Sequence, residues 1–291
     1  MLPAQFEYHA PESLGDAIAL LKQHGDEAKV LSGGHSLVPL MKLRFAAPAH
    51  IVDINGIPGL DYLKEENGVL KIGALVREAD LETSDVVASK FPLILDTAKQ
   101  IADPQVRNRA TIAGNLAHGD PANDHPATML ALGAEVVIEG SGGERVLPVS
   151  ELFVATLTTA LASDEIIKEV RVPVPPGKSG GAYLKIERRV GDFAIVAVAA
   201  QVTLDESGNI ASAGIGLTNV APVPVKATDA EASLAGKAPD EAALEEAGRL
   251  AAESCDPTTD NRAPAEYKRA MVKELTIRAL RRAVERAQGG K

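Results

Sequence analysis

Two stretches of this 291-residue chain concentrate the residue types that hold phosphates and sugar hydroxyls. The first, Ser32-Gly33-Gly34-His35-Ser36 with Leu37 after it, follows the run Ala28-Lys29-Val30-Leu31. Glycines where a strand turns toward a helix let the backbone come close to a ligand, and the N–H groups bared there form a nest for an anion. A diphosphate is the natural occupant. The pattern is neither the G-x-G-x-x-G of a dinucleotide fold nor a phosphate loop, since no Gly-Lys-Ser/Thr follows. A plain structural turn would use the same glycines. The second stretch, Thr111-Ile112-Ala113-Gly114-Asn115, runs on through His118, Gly119, Asp120 and Pro121 to Asn123-Asp124. It offers a hydroxyl, a close-approach backbone and an amide, and Asp124 is suited to accept from ribose hydroxyls. The competing reading is a capped loop, with Asp124 as the N-cap of a helix entered at Pro126. The two stretches lie about 80 residues apart, and no other polar constellation is as dense. Convergence of both on one dinucleotide is the sharpest expectation.

The elements that must position these stretches can be read from periodicity. Leu14, Ala17, Ile18 and Leu21 recur at helical spacing, with Gly25 placed to end the helix. AKVL, HIVDINGI (50–57) and GVLKIGAL (68–75) read as strands, SLVPLMKLR as a short helix, and 76–101 as helix broken by Pro92. Residues 111–126 read as a loop rich in Gly, Asn, Asp and Pro, and a helix runs from Pro126 to Gly133. EVVIEG and ERVLPV flank Ser141-Gly142-Gly143, a hairpin signal, and EIIKEVRVP (165–173) is a strand. PVPPGKSGG (173–181) then reads as a linker, because adjacent prolines followed by glycines continue neither ladder nor helix. Beyond it come three successive strands, AYLKIERR, FAIVAVAAQVTL and NIASAGIGLTNV, and then helices over 228–235, 239–254 and 264–287. The expectation is an α+β chain of two domains, 1–176 and 177–291, the second a three-stranded antiparallel sheet with a helical bundle.

Composition bounds the function. Charged residues make up 24% and hydrophobic residues 45%, as in proteins with a packed core, but aromatics are only 3%, so aliphatic side chains must fill it. A formal net charge of -10 argues against nucleic acid as a partner. No run approaches the roughly 20 apolar residues of a membrane span, and MLPAQFEYHAPES lacks the basic and apolar regions of a secretory signal. The only cysteine is Cys255, so an intrachain disulfide and an all-cysteine cluster are both impossible. The six histidines never fall at the i, i+4 spacing of a helical metal pair. No metal is expected in this chain; a redox metal would sit on another one, and a reducing cytoplasm is the expected compartment. His35 and His118 are expected to donate hydrogen bonds in their loops, leaving no catalytic residue, and Arg278, Arg281, Arg282 and Arg286 to form a solvated or partner-facing surface.

Taken together, SGGHSLVPLMKLR (32–44), the TIAGN-type loop with its N-x-x-H-x-x-P-x-x-D run to Asp124, and ERRVGDFAIVAVA (187–199) resemble the flavin-binding medium subunits of molybdenum hydroxylases. The likeness covers essentially the whole chain, is nearest to the aerobic carbon monoxide dehydrogenases, and extends more distantly to the flavin domain of xanthine dehydrogenase. One departure is Ala113, where the family often has a second glycine. The resemblance implies a vanillyl-alcohol-oxidase (PCMH-type) fold, with two subdomains holding FAD and a C-terminal domain behind them. It implies that Ser32 to Leu37 and Thr111 to Asn115 hold the diphosphate and its neighbourhood. Asp124 would take an adenosine-side hydroxyl, Ile101 and Ile167 would pack on the flavin or adenine, Lys185 would contact the cofactor, and Phe193 would stand beside the isoalloxazine. Electrons would come from the [2Fe-2S] clusters of a small iron–sulfur subunit. These would be fed by a large subunit with the molybdenum cofactor, which oxidises CO with water to CO2. The assembly would be a dimer of heterotrimers, delivering to an acceptor such as a quinone at the inner face of the membrane. Alternatives are a related hydroxylase acting on a heterocycle, purine or aldehyde, a self-contained flavin oxidoreductase, and a scaffold that has lost FAD.

Overall fold

The computed structural model describes residues 2–290. Near the N-terminus, β1 (Glu7–His9), β2 (Ala28–Leu31) and β3 (His50–Asp53) form a parallel sheet in the order β1-β3-β2. Helix α1 (Leu14–His24) starts at Ser13, whose Oγ accepts from the Asp16 N–H, and ends at Gly25 with φ 53°. Its Ala17, Ile18 and Leu21 are buried in one small core with Val52 and Ile54. Helix α2 (Leu37–Lys42) leaves β2 through the glycine turn. A second, antiparallel sheet has the order β4-β5-β10-β6-β7, built from β4 (Leu63–Glu66), β5 (Val69–Gly73), β6 (Glu135–Gly140), β7 (Gly143–Pro148) and the central β10 (Ile166–Pro173). A two-stranded ribbon, β8 (Phe153–Ala155) and β9 (Thr158–Thr159), lies between.

The expected helix over 76–101 is three: α3 (Glu78–Thr83), α4 (Asp85–Lys90) and α5 (Pro92–Gln100). Ser84 separates the first two, its extended backbone capping α4 through Oγ, and Pro92 opens α5 at a position where its missing N–H costs nothing. After α6 (Pro104–Arg107), the expected loop over 111–126 is corrected at its start. Thr111 Oγ1 accepts from the Gly114 N–H and so caps α7 (Ile112–His118), which Gly119 ends with a left-handed φ of 64°. The loop is therefore confined to 119–124. Helix α8 (His125–Ala131) follows with every residue buried.

The last part of the chain forms a sheet in the order β11-β12-β13-β14, from β11 (Ser179–Ile186), β12 (Val196–Leu204), β13 (Ile210–Thr218) and β14 (Val225–Lys226). The expected three-strand meander is present, and the two-residue β14 extends it. Gly180 and Gly181, expected in the linker, are instead strand residues. A Cβ at Gly180 would stand 2.2 Å from the Ala283 carbonyl oxygen, and one at Gly181 2.4 Å from Gln201, so they serve close packing rather than flexibility. Helices α9 (Thr228–Leu234), α10 (Glu241–Glu253) and α11 (Ala265–Ala287) complete the fold. Alternation along β12 sends Ala197 and Ala199 into one core with Phe91, Ile94 and Tyr183, and Val196, Val198 and Val202 into another with Leu280 and Val284. One face of the sheet therefore carries α11 and the other carries α5 and α8.

Arg286 departs from the expected exposed surface. It forms a bidentate, part-buried pair with Asp96 of α5 and donates to the Gly181 carbonyl, which ties α11 to α5 and β11. Cys255 is buried, and that burial pushes its thiol up to about 12, so it is unreactive in the folded state. Among the described residues no helix is long and apolar enough to cross a membrane.

Two outcomes follow from this packing. A Cβ at Gly216 would lie 1.9 Å from the Ala127 carbonyl oxygen, backbone that cannot move without lifting α8 off the sheet. Gly216→Ala is therefore expected to cost roughly 3 kcal/mol in urea unfolding, at or above the usual overpacking range. Burial alone would raise the Asp260 carboxyl, but Lys268 at 2.7 Å and the N–H groups of Ala263 and Arg262 bring it down to about 2. Its folded value lies below the unfolded 3.8, so its contribution is present above that pH and is lost as pH falls toward 2. Asp260→Asn should flatten the acid limb of the stability profile between those values, read from urea midpoints.

Candidate functional site

The two glycine-bearing stretches meet. Ser32 Oγ lies 3.1 Å from Thr111 Oγ1, so residues 79 positions apart share one hydrogen bond. Gly33 allows the approach: a Cβ there would stand 2.4 Å from the Arg109 carbonyl oxygen and 2.8 Å from Ala110 Cα. Gly34 turns the chain with φ 76°, and its carbonyl accepts from the Val38 N–H to start α2. His35 Nδ1 lies 2.9 Å from the Gly33 carbonyl oxygen, which folds the imidazole back on its own turn.

Two residues outside both stretches lock them in register. Asn55 Nδ2 donates to the Ser32 carbonyl at 2.9 Å, and Asn55 Oδ1 accepts from Arg77 Nη2 at 2.6 Å. Arg77 Nη1 then donates to the Arg109 carbonyl at 2.7 Å, while the Arg77 backbone bridges Thr111. Burial, with Arg109 close by, lowers the guanidinium of Arg77 below its ordinary value. Asn55 carried a local signal, the Asp53-x-Asn55-Gly56 turn in which Asp53 Oδ1 accepts from the Asn55 N–H at 2.8 Å. Arg77 carried none, because its partners lie 22 and 32 residues away.

Between the stretches opens a cleft of about 550 Å³. It is lined by Ser32, Gly33, Gly34, His35, Ser36 and Leu37 from one side and by Thr111, Ala113, Gly114 and Asn115 from the other, with Ile167 in its wall. A further wall was not foreseen: Leu157 to Ala162, around the β8–β9 ribbon, closes over α7, with the Leu157 N–H donating to the Gly119 carbonyl at 2.9 Å. Gly119 is required there, since a Cβ would press on Thr158 and Thr159 at 3.1–3.2 Å. Burial lowers His118, against the opposing pull of Asp120, so this imidazole of the cleft is neutral near pH 7.

The cleft fits a dinucleotide on chemical grounds. Its volume lies in the usual range for small-molecule sites, roughly 300–1,000 Å³. It pairs apolar walls with hydroxyls from Ser32, Ser36 and Thr111, and Asn115 Oδ1 is buried with no hydrogen-bond partner, a polar atom awaiting a donor.

Not every expected residue lines this cleft. Ile112 is fully buried in the core behind it. Asp124 heads α8 in sequence, but its side chain makes no cap. Instead Oδ1 accepts from Tyr183 O–H at 2.5 Å and Oδ2 from Lys185 Nζ at 3.0 Å. Full burial raises the Asp124 carboxyl despite Lys185 and Tyr183. Lys185 also donates to the Gln100 carbonyl, next to Ile101, at 3.1 Å and pairs with Glu187 at 3.2 Å. Nearby, the 187–193 turn packs on Ala102, where a Cβ on Gly191 would meet the carbonyl oxygen at 2.6 Å. That turn presents Phe193 at 46% exposure, with the Arg262 guanidinium over its ring. Asp124, Lys185, Ile101 and Phe193 thus gather where α5 meets β11, joined to the cleft through Asn123 Nδ2, which donates to the Asn115 carbonyl at 2.8 Å.

Comparison with known proteins agrees with this geometry. Residues 4–175 match the FAD binding domain in molybdopterin dehydrogenase, and residues 181–283 the CO dehydrogenase flavoprotein C-terminal domain. The carbon monoxide dehydrogenase medium chain of Hydrogenophaga pseudoflava is 47% identical over 281 residues, 96% of this chain and 97% of that one. The medium chain from Afipia carboxidovorans is 43% identical over 288 residues, 99% and 98% of the two chains. A solved structure of the Hydrogenophaga pseudoflava carbon monoxide dehydrogenase superposes with a TM-score of 0.96, covering 98% of this chain and 99% of that chain at 47% identity. The chain belongs to the FAD-binding medium subunits of the molybdenum hydroxylases.

Proposed function

We propose that this chain is the FAD-carrying electron-transfer subunit of an aerobic carbon monoxide dehydrogenase. In this reading a large subunit carries the molybdenum cofactor and oxidises CO with water to CO2. A small subunit relays the electrons through [2Fe-2S] clusters, and two such heterotrimers pair. The observation that carries the cofactor assignment is the hydrogen-bonded convergence of Ser32 and Thr111 over a cleft containing the unpartnered Asn115 Oδ1. The carbon monoxide assignment rests on identities of 47% and 43% over nearly the full length of two carbon monoxide dehydrogenase medium chains.

When bound, FAD supplies the redox couple that takes up and releases electrons; the chain supplies position and environment. Ser32 to Leu37 and Thr111 to Asn115 bind the diphosphate and its neighbourhood through hydroxyls and N–H groups, whose fixed dipoles favour an anion. Ile167 gives an apolar wall. Asp124 and Lys185 hold the adjoining wall rigid through their shared buried bond; Asp124 keeps lone pairs for the cofactor's hydroxyls, while the three donors of Lys185 are engaged by Asp124, the Gln100 carbonyl and Glu187, so it meets the cofactor as a positioned charge. Ile101 and Phe193 flank the flavin end, and the exposure of Phe193 suits delivery to an external acceptor such as a quinone. We place the division between the cofactor-binding part and the C-terminal part at residue 176, in the Pro175-Pro176-Gly177 run, and the complex in the cytoplasm, at the inner face of the membrane.

The testing experiment is the visible spectrum of the tagged chain purified gently from its own host. Flavin bands overlaid with iron–sulfur absorption are expected; flavin alone with no accompanying chains would indicate a self-contained flavoenzyme, and no flavin a scaffold. Gly34→Val adds a side chain at φ 76° against Leu31 and Val38 and crowds the diphosphate nest. It should lose flavin on gel filtration while far-UV circular dichroism stays that of a folded chain; full flavin occupancy would sink the loop assignment.

A further inference from the structure

Three of the six histidines, His9, His24 and His50, come together on the N-terminal sheet, outside the cleft lining. They come from three elements: the last residue of β1, the last residue of α1 and the first residue of β3. One ring nitrogen from each lies within 4.8 Å of the other two. His9 Nε2 and His50 Nδ1 are 3.1 Å apart, and the His24 and His50 rings stack with centroids 3.6 Å apart. All three are partly buried, open enough for an ion to enter yet held by their backbones. Glu7, the register partner of His50 across β1 and β3, reaches His50 Nδ1 at 3.5 Å with an otherwise exposed carboxylate.

The geometry points to a binding site for a divalent transition metal of the zinc, cobalt or nickel type, with His9, His24 and His50 as ligands and Glu7 as the fourth. Tetrahedral bonds of about 2.0–2.1 Å place ligand atoms about 3.3–3.4 Å apart. The His9–His50 pair is already near that separation, and the third nitrogen needs to close by no more than ~1.5 Å. Imidazole selects metals of this class over magnesium or calcium. The local charge favours a cation as well: Asp26 and Glu27 follow His24, and among the described residues neither they nor Glu7 is ion-paired with a lysine or arginine. Bound there, the ion clips the end of α1 to β1 and β3. The chain leaving α1 enters β2, the strand that delivers Ser32 to the cleft. The spacing 9, 24, 50 hid this site, because it matches no helical or hairpin ligand pattern.

The test uses the full chain, stripped with a chelator and titrated with Co²⁺. One equivalent per chain with the visible bands of tetrahedral cobalt, displaced by Zn²⁺, is expected. His24→Gln and His50→Gln should each weaken Zn²⁺ in the competition by more than the roughly 10–100-fold that loss of an outer-shell partner costs. Unfolding midpoints should rise with Zn²⁺ in the parent chain and stay fixed in either variant, both checked for folding by circular dichroism. Absence of tetrahedral bands in the parent chain, or bands of equal intensity in His24→Gln, would overturn the assignment.

Discussion

The close approach of two backbone turns, at Ser32–Gly34 and at Arg109–Thr111, is the constraint on which the site depends. Gly33 stands against the Arg109 carbonyl, and no side chain can be interposed. The contact leaves hydroxyls and N–H groups facing one cleft. It also explains why so much support is spent on carbonyl groups: Asn55 and Arg77 both use their donors to satisfy main-chain oxygens of the turns. Turns so braced enter binding already ordered, so little conformational entropy is lost when a ligand arrives.

A second constraint comes from composition. With aromatics scarce, the interior is filled by aliphatic side chains, and among the described residues Phe91 and Tyr183 are the only fully buried Phe or Tyr rings. Layers then come close enough to need glycine. β13 meets α8 at Gly214 and Gly216, and β11 meets α11 at Gly180. Several polar groups caught in this interior pair with one another: Tyr183 with Asp124, Asp124 with Lys185, Thr97 with Thr128, His125 with Glu78. The Asp124 cluster is a structural joint as well as a neighbour of the cleft.

Much of this was legible in the chain itself. The two glycine stretches, the late meander, the three C-terminal helices and the hairpin at Ser141–Gly143 all carry local signatures, and local chemistry decides them. What was not legible depends on residues far apart. A Gly-rich, Asn-rich segment reads as loop, yet Thr111 caps a helix there, because its hydroxyl is oriented by Ser32 from another part of the chain. The wall at Leu157 to Ala162 has no charged or glycine signature and becomes a wall only through its contact with Gly119. Asp124 was legible as a polar residue at a helix start, but not as the partner of a tyrosine and a lysine 59 and 61 residues later. Arg286 read as one of several exposed arginines until Asp96 of α5 claimed it.

The seating of α8 on β13 bears on how such a chain can be recombined. At Gly214 and Gly216 the strand leaves less than the width of a methyl group before the carbonyls of Ala131 and Ala127. A chimera that takes residues before the Pro175-Pro176 run from one relative and those after it from another inherits one side of this contact from each parent. Any relative with a larger residue at either strand position must have moved its helix outward. The two segments are thus expected to travel as a unit, and shuffling at the chain's most obvious seam would join mismatched surfaces.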